Sequence, residues 1–397
     1  MALSLLYTPG TYLSAHGDII FTILEDTKPF SSSTYPDYKY ICDVYIYGFL
    51  QARLKSFPRP DDKIGFFNIG NIVRNYLYTN FSPGAGLRAQ QVGENYFYAN
   101  VVCQFGEEYG GVTYSSIIVD SQRTYFNHYN TRLAGQLTIL SNYLDKVMTT
   151  RPYATQVSRA ANFCFVPFLA TDDTTIDLII KSYSGGTLVG TTTQSFTPTA
   201  TSTNEQQLFN VAPAAINAAA PGFISSYITY YTVEFNTTNI TGDSALRFNL
   251  VCEPKYDTYT IHFLNKFGGF DSKDFNKVSR RKIAVEKSDF GSSAFLINSS
   301  GQPEYHNSTN VYRETRKTYA GSWKESMSLN SDLLPDAEYR LLEELILSPL
   351  AYIEMDGYFY PMVITDTSYE PKKVVNDDLT NLTINIEFGD RFNTQYR

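Results

Sequence analysis

Apolar and polar residues alternate along most of this chain in short segments, which is the pattern of half-buried β-strands. Two segments show four successive apolar positions on one predicted face: Tyr40, Cys42, Val44 and Ile46, and Leu382, Ile384, Ile386 and Phe388. Further strands are predicted at residues 19–24, 96–105, 112–120, 175–183, 188–196, 227–235, 245–251 and 258–265. Five glycine-containing turns separate such strands, at Gly110-Gly111, Ser184-Gly185-Gly186, Gly242-Asp243, Gly268-Gly269 and Asp356-Gly357. These turns predict hairpins, because glycine adopts the positive φ that tight turns require.

Helical spacing is found in only three places. Apolar residues recur at this spacing at Ile69, Ile72, Val73, Tyr76 and Leu77, and again at Leu133, Leu137, Leu140, Leu144 and Val147. A third helix is predicted from Pro335 to Pro349, with Asp336 and Glu338 favourable to the dipole of its first turn. Its predicted apolar face carries Tyr339, Leu342, Leu345 and Ile346, and we expect this face to pack against the C-terminal sheet. The Thr- and Ala-rich pieces 197–203 and 213–221 are predicted to be exposed connections.

Together these patterns predict a mainly β protein of multidomain β-sandwich or β-barrel-like units with a few short helices. Residues 1–150 form a predicted small α+β domain, and residues 151–253 a β-sandwich. Residues 254–397 form a predicted C-terminal β-domain with one helix. A chain of 397 residues is long enough for two or three such units.

Composition favours an assembly subunit over a metabolic enzyme. Charged residues are 18% of the chain and aromatic residues 15%, with 32 Tyr and 27 Phe. Tyr offers apolar area and a hydroxyl group, which suits wide interfaces, although aromatic residues also pack well within strands. The net charge of -8 argues against nucleic-acid binding, which needs a basic face. The sequence shows no secretory signal and no long apolar run, so neither secretion nor membrane insertion is expected.

Candidate chemistry is sparse. The four His residues, His16, His128, His262 and His306, lie in separate segments, and His262, inside an aromatic strand, is expected to have a structural role. The four Cys residues, Cys42, Cys103, Cys164 and Cys252, are expected to be reduced and buried. The acidic pairs Glu107-Glu108, Asp172-Asp173, Glu343-Glu344 and Asp377-Asp378 are adjacent in sequence, so their side chains diverge on a strand or helix. We therefore predict no catalytic, cofactor-binding or metal-binding residue and no enzymatic activity.

One stretch carries a family resemblance. Residues 259–287 read YTIHFLNKFGGFDSKDFNKVSRRKIAVEK and join an aromatic strand, a Gly-Gly turn and a basic run. A second block contains Ser331-Asp332, the predicted helix ending at Ser348-Pro349, Ala351-Tyr352-Ile353 and Tyr360-Pro361-Met362-Val363-Ile364. Together these blocks resemble virion structural, tail-associated proteins of tailed bacteriophages that infect Bacteroidota, including crAss-like phages.

The resemblance implies a non-enzymatic virion protein, made in the host cytoplasm and forming part of a tail, collar or baseplate ring. Its expected partners are copies of itself and neighbouring tail or collar proteins. The basic run, from Lys273 to Lys287, is either a solvated face or an intersubunit contact, and for the contact we single out Arg280, Arg281 and Lys282. The alternatives are a receptor- or glycan-binding tail protein and, least favoured, a tail-associated glycan hydrolase.

Overall fold

A computed structural model describes residues 3–10, 12–28, 33–92, 97–127, 145–170, 175–197, 205–237, 245–251, 255–293, 295–305, 316–331, 334–366, 379–380, 382–389 and 392–395. The protein is mainly β, as the alternating pattern predicts. Its described residues group into two compact units. The first unit comprises residues within 1–253, 262–273 and 337–349, and the second comprises residues within 254–261, 274–336 and 350–397. This grouping places both predicted N-terminal domains in one unit and divides the predicted C-terminal domain between the two.

The first unit is built from eighteen described strands and three short helices. The strands are β1 (Ser4–Tyr7), β2 (Tyr12–Ser14), β3 (Ile20–Leu24), β4 (Lys39–Ile46), β5 (Phe49–Ser56), β6 (Gly65–Asn68), β7 (Arg88–Val92), β8 (Tyr98–Tyr109), β9 (Val112–Val119), β10 (Arg123–Phe126), β11 (Lys146–Val147), β12 (Ala154–Ser158), β13 (Phe165–Ala170), β14 (Ile176–Ser184), β15 (Thr187–Phe196), β16 (Glu205–Asn210), β17 (Tyr230–Asn236) and β18 (Leu246–Val251). The helices are α1 (Gly70–Arg74), α2 (Pro213–Ala219) and α3 (Tyr339–Leu347), the last preceded by a 3-10 turn at Asp336–Glu338.

Four sheets in this unit enclose two apolar cores. The N-terminal sheets have the orders β1-β3-β6 and β2-β10-β8-β4-β5, with β9 also pairing β8. Their core contains the alternating side chains of β4, all of which are fully buried, as predicted. The other two sheets, β11-β13-β16-β7 and β12-β18-β17-β14-β15, share a second core in which the rings of Phe168 and Phe235 stack with centroids 5.1 Å apart. This shared core gives the middle of the chain its sandwich-like character.

The second unit is organised around one long sheet. Its strands are β21 (Arg280–Gly291), β22 (Phe295–Ile297), β23 (Pro303–Tyr305), β24 (Arg316–Asn330), β25 (Leu334–Pro335), β26 (Ala351–Met355), β27 (Tyr358–Ile364), β28 (Leu379–Thr380), β29 (Thr383–Phe388) and β30 (Phe392–Gln395). The order β26-β27-β29-β24-β21 ends on β21. β30 pairs with residues Ala320 to Trp323 of β24. Strands β19 (Tyr259–Leu264) and β20 (Phe270–Phe275) each have residues in both units.

The predicted hairpins are confirmed. β8 and β9 flank Gly110-Gly111, β14 and β15 flank Gly185-Gly186, and β26 and β27 flank Asp356-Gly357. All six residues of these turns have positive φ. The predicted hairpin between residues 227–235 and 245–251 is observed as the antiparallel pair β17–β18, and its turn at residues 242–243 lies outside the described residues.

The helix predictions have mixed outcomes. The predicted helix near Ile69 is α1, and its Val73 is fully buried. Most of the helix predicted from Leu133 lies outside the described residues, but its last residue, Val147, belongs to strand β11, so the prediction is wrong there. The exposed connection predicted at residues 213–221 is wrong as well, because Pro213 starts helix α2 and Ile216 on this helix is fully buried. Pro is favourable at the first position of a helix, and Ala has the highest helix propensity. Burial of Pro213, Ala215 and Ile216 adds packing that stabilises this helix.

The third predicted helix, α3, is confirmed, but its packing differs from the expectation. Leu342 and Leu345 are buried and Ile346 is half-buried. We expected this helix to pack against the C-terminal sheet, yet residues 337–349 group with the first unit. There they contact residues 262–273 through charged side chains, and the helix starts one turn later than expected, because Glu338 precedes it in the 3-10 turn.

Candidate interaction surface

The exposed surface with the most distinctive chemistry is the pair of long strands β21 and β24, which we call the ribbon. Eleven of the twelve residues of β21 are exposed, and β24 is buried only at alternate positions near its C-terminal end. β21 ends the sheet order, and within the described part of the chain no strand pairs with its outer side. The ribbon therefore offers a long open edge together with two solvent-exposed faces, which is the form of strand that recruits partners unless it is protected.

The three basic residues singled out from the sequence begin β21. Arg281 contacts Glu325 across the strand pair, with an Nη2 to Oε2 distance of 2.8 Å. Arg280 and Lys282 lie on the opposite face of the sheet, where they face Ser328 and Ser326. The structure thus brings all three to one exposed strand but divides them between its two faces, because neighbouring residues of a strand point in opposite directions.

The charge of the ribbon is opposite in sign to that of the rest of the chain. β21 and β24 contain seven basic and three acidic residues, a net charge of +4. The whole chain carries -8, so the remaining residues together carry -12.

The carboxylate of Asp289 has its partners within the ribbon. The Thr318 hydroxyl donates to its Oδ1 at 2.6 Å, and its Oδ2 lies 2.9 Å from Nε of Arg316. The Thr318 bond and the Arg316 charge hold the pKa of Asp289 below its usual value.

A groove of about 340 Å³ opens on one face of the ribbon. Val285 and Trp323 are directly opposed across the two strands, and Ile283 extends their apolar floor. Ile283 and Val285 are 52% and 57% exposed. Lys287, Thr318, Gly321 and Ser322 complete the lining. Sequence reasoning missed this site, although one signal was present: Trp323 is the single tryptophan of the chain and stands among small polar residues.

The Gly-Gly turn of the family-like stretch has a structural role in the first unit. Asn265 holds it together, because its Oδ1 accepts hydrogen bonds from the backbone N–H of Phe267 at 2.9 Å and of Gly269 at 3.1 Å. Gly268 has φ of +81°, and a Cβ at this position would lie 1.9 Å from the carbonyl oxygen of Asn127. Close packing therefore explains the two glycines of this predicted turn.

Behind the turn lies a buried polar cluster. Asp271 is fully buried and accepts hydrogen bonds from the Thr149 hydroxyl at 2.8 Å and from Nδ2 of Asn265 at 2.8 Å. Arg151 lies 3.7 Å from the same carboxylate and donates to the carbonyl oxygen of Ser272 at 2.7 Å. Burial raises the pKa of Asp271, while Arg151 and the hydrogen-bond donors lower it. The contacts of Thr149 and Arg151 link sequence positions more than a hundred residues apart.

Ser272 and His262 form a hydrogen bond that resembles part of a nucleophilic site. The distance from Ser272 Oγ to His262 Nδ1 is 2.8 Å. Ser272 is only 3% exposed, His262 is fully buried, and the backbone N–H of Phe165 donates to Ser272 Oγ at 2.8 Å. The imidazole is also packed against aromatic rings, with the centroid of Phe165 4.7 Å away. This pair is inside a core that a substrate does not reach, so His262 has the structural role expected from the sequence.

The remaining candidate groups that the structure describes do not form a common site. Cys42, Cys103 and Cys164 are free and buried, as predicted. Glu107 is buried against Tyr38 and Lys28, while Glu108 is on the other face of β8 and pairs with Lys55. Glu343 is exposed, and Glu344 is partly buried beside Lys266. His128, His306, Cys252 and both Asp-Asp pairs lie outside the described residues.

The described residues hold neither a metal-binding group nor a membrane-spanning helix. Among the residues that the structure describes, no three His, Cys, Asp or Glu side chains form a group able to hold a metal ion. Within the same ranges, no helix combines the length and the apolar character needed to cross a membrane.

Comparison with known proteins gives no family assignment. No protein-family model and no curated protein matches the chain. Among solved structures, native alpha-2-macroglobulin from Escherichia coli, spanning domains MG0-NIE-MG1, aligns with a TM-score of 0.24 and 10% identity over 90% of this chain and 95% of that one. The plexin A4 extracellular region aligns with a TM-score of 0.21 and 9% identity over 98% of this chain and 36% of that one. Similarity at this level supports no argument about function.

Proposed function

We propose that this protein is a non-enzymatic structural subunit of a bacteriophage virion, which forms part of a tail, collar or baseplate ring. The observation that carries self-assembly is the ribbon, a basic and solvent-exposed edge on an otherwise acidic chain. The tail location is supported by the resemblance of residues 259–287 and of the block after Ser331 to tail-associated proteins.

Charge complementarity gives the mechanism of assembly. A basic edge on one copy attracts the acidic surface of another, and a contact between two different surfaces repeats until a ring closes. Many equal contacts then hold the ring by avidity, even when each one is weak. Neighbouring tail or collar proteins are the further partners in this proposal.

Charge reversal at the base of the ribbon tests the proposal. Changing Arg280, Arg281 and Lys282 together to Glu should leave the monomer folded, because exposed charges contribute little to stability within a chain, with an added cost at position 281, where Glu would lie beside Glu325. Assembly of the triple variant should weaken, and that of the wild type should weaken as salt rises, since exposed charges are screened over roughly 8 to 10 Å. Light scattering across salt measures both effects. An oligomer mass identical in the two proteins and independent of salt contradicts the role of these residues.

A receptor- or glycan-binding role is the second candidate, and one feature favours it. Tyr358 and Tyr360 share a face of β27 next to the Asp356-Gly357 turn, and they are 69% and 39% exposed. Exposed tyrosine rings beside a carboxylate suit the stacking and hydrogen bonding of sugars. Binding of host-surface polysaccharide that is lost in Tyr358→Ala, in a protein that stays monomeric, would favour this role. Turnover of that polysaccharide would instead favour the hydrolase.

A further inference from the structure

We propose that neighbouring copies are joined by a heterologous contact in which the β22–β23 hairpin of one chain, which we call the tip, inserts into the Trp323 groove of the next. This inference rests on the proposed assembly function and assigns its two surfaces. The tip follows β21 directly, so both surfaces belong to the second unit.

The tip is apolar and exposed. Phe295, Leu296 and Ile297 make up β22, and they are 40%, 38% and 67% exposed. Phe295 and Ile297 share one face of the strand and Leu296 lies on the other, so exposure of all three leaves apolar area on both faces. Three successive exposed apolar residues are costly in water, and a protein contact removes that cost.

The tip is also ordered by its own turn. The side-chain Oδ1 of Asn298 accepts hydrogen bonds from the backbone N–H of Ser300 at 3.0 Å and of Gln302 at 2.9 Å. The backbone N–H of Asn298 donates to the carbonyl of Gln302 at 3.0 Å, and Gly301 supplies the positive φ that the turn needs. A hairpin fixed before docking loses little conformational entropy when it binds.

The groove matches this tip in chemistry. Its floor is Trp323 flanked by the branched side chains of Ile283 and Val285, and tryptophan in a concave apolar setting is a frequent centre of binding energy. Lys287 lines the groove, whereas Glu304, directly opposite Leu296, is the acidic residue of the tip. Apolar contact in the centre and opposite charges at the rim are the usual anatomy of a specific interface.

The contact has to form between chains. Ile297 is 67% exposed in this structure, so the tip is not seated in the groove of its own chain. Tip and groove are different surfaces, so every docked chain still offers one free tip or one free groove, and chains add head to tail until the assembly closes.

Complementation of two assembly-deficient variants tests the contact. Ile297→Glu damages the tip and keeps the groove, whereas Val285→Glu damages the groove and keeps the tip. Both residues are more than half exposed, so both variants should stay folded by circular dichroism. Each alone should need a concentration more than about tenfold higher to assemble than the wild type. Mixed together, they should form a 1:1 heterodimer that stops growing, because each partner blocks one end. Val119→Glu, at a position 58% exposed on β9, is the matched control and should assemble as the wild type does.

The single tryptophan supplies a direct readout of the groove. The variant Trp323→Ala keeps its tip and contains no tryptophan, and we call it the donor because it supplies the tip. The variant Ile297→Glu keeps its groove, so all tryptophan fluorescence in the mixture comes from Trp323 of this variant. Titration with the donor should shift this emission to shorter wavelength, and the double variant Trp323→Ala/Ile297→Glu should leave it unchanged.

The outcomes separate this inference from the function on which it rests. A wild type that stays monomeric overturns both the assembly function and the contact. A wild type that assembles together with single variants that assemble equally well overturns the tip-to-groove contact alone. Single variants that fail to assemble and also fail to pair with each other overturn it too, since some other defect then explains the loss.

Discussion

Lys273 and Glu338 form an ion pair inside the first unit, with side chains that are 5% and 1% exposed. They lie 65 residues apart in sequence. From the sequence alone, Lys273 is the first residue of a basic run, which is interpreted as either a solvated face or an intersubunit contact. Glu338 is expected to compensate the dipole of the predicted helix. The structure gives both residues a different role, because Lys273 lies on β20 and Glu338 immediately precedes α3.

Removing one partner of this pair should be strongly destabilising. Lys273→Met leaves the carboxylate of Glu338 buried without its cation, and we expect a loss of about 3–5 kcal/mol in the free energy of unfolding. The double variant Lys273→Met/Glu338→Leu should be more stable than either single variant, because no uncompensated charge remains. Urea denaturation of the four proteins measures this cycle.

The half-exposed pair Lys181–Glu234 serves as the control for that cycle. Its side chains are 31% and 21% exposed, and Nζ to Oε1 is 2.8 Å. Lys181→Met should cost less than about 1 kcal/mol, because solvent screens the pair. Equal losses in the free energy of unfolding for Lys273→Met and Lys181→Met would show that burial does not determine the cost of removing one partner of an ion pair.

Leu345→Asp should destabilise the first unit by about 4 kcal/mol or more, because it removes apolar burial and places a charge in a core. Leu345 is fully buried, whereas Leu347 on the same helix is 80% exposed. Leu347→Asp therefore controls for helix propensity and charge, and its melting temperature should stay close to that of the wild type. If Leu345→Asp melts at the wild-type temperature, that face of α3 is exposed in solution.

Gly268→Ala should disrupt the turn through two effects. Its φ of +81° is unfavourable for a residue with a side chain, and the added methyl group meets the Asn127 carbonyl. Gly357 isolates the first effect, since it has φ of +79° and no heavy atom within 4 Å of the place that an added methyl group would occupy. We expect Gly357→Ala to cost about 1–2 kcal/mol and Gly268→Ala to cost clearly more. Similar costs in thermal unfolding would mean that the chain relaxes around position 268 without penalty.

His16 should make the first unit less stable at mildly acidic pH. Burial lowers its pKa from 6.5 in the folded protein, although its Nε2 is hydrogen-bonded to Oδ1 of Asn127 at 2.7 Å. A depressed folded pKa gives stability that is present above pH 6.5 and is lost as pH falls toward the folded pKa. The drop in melting temperature between about pH 7.5 and 5.5 should therefore be smaller in His16→Gln than in the wild type. An identical drop assigns the pH dependence to other groups.

Local patterns in the sequence predicted most strands and turns of this protein, although they failed at Val147 and at residues 213–221. Alternation at Tyr40, Cys42, Val44 and Ile46 predicted a strand with one buried face, and the Asp356-Gly357 dipeptide predicted a hairpin, because both depend only on backbone geometry and on neighbours within a few residues. The mainly β class follows from the same local signals repeated along the chain. Arg280, Arg281 and Lys282 could likewise be assigned to an exposed basic segment, since three consecutive charges are rarely buried.

Which distant residues meet depends on the tertiary fold alone. Residues 262–273 and 337–349 leave the predicted C-terminal domain and join the first unit, so the burial of Lys273, Asp271 and Glu338 depends on partners far along the chain. Periodicity carries no information about such partners. The Trp323 groove arises in the same way, because Val285 faces Trp323 only in the antiparallel register of β21 and β24. Register is set by a buried apolar face and by tight turns, but β21 is exposed on both faces and no tight turn joins it to β24, so the sequence carries no signal for this pairing.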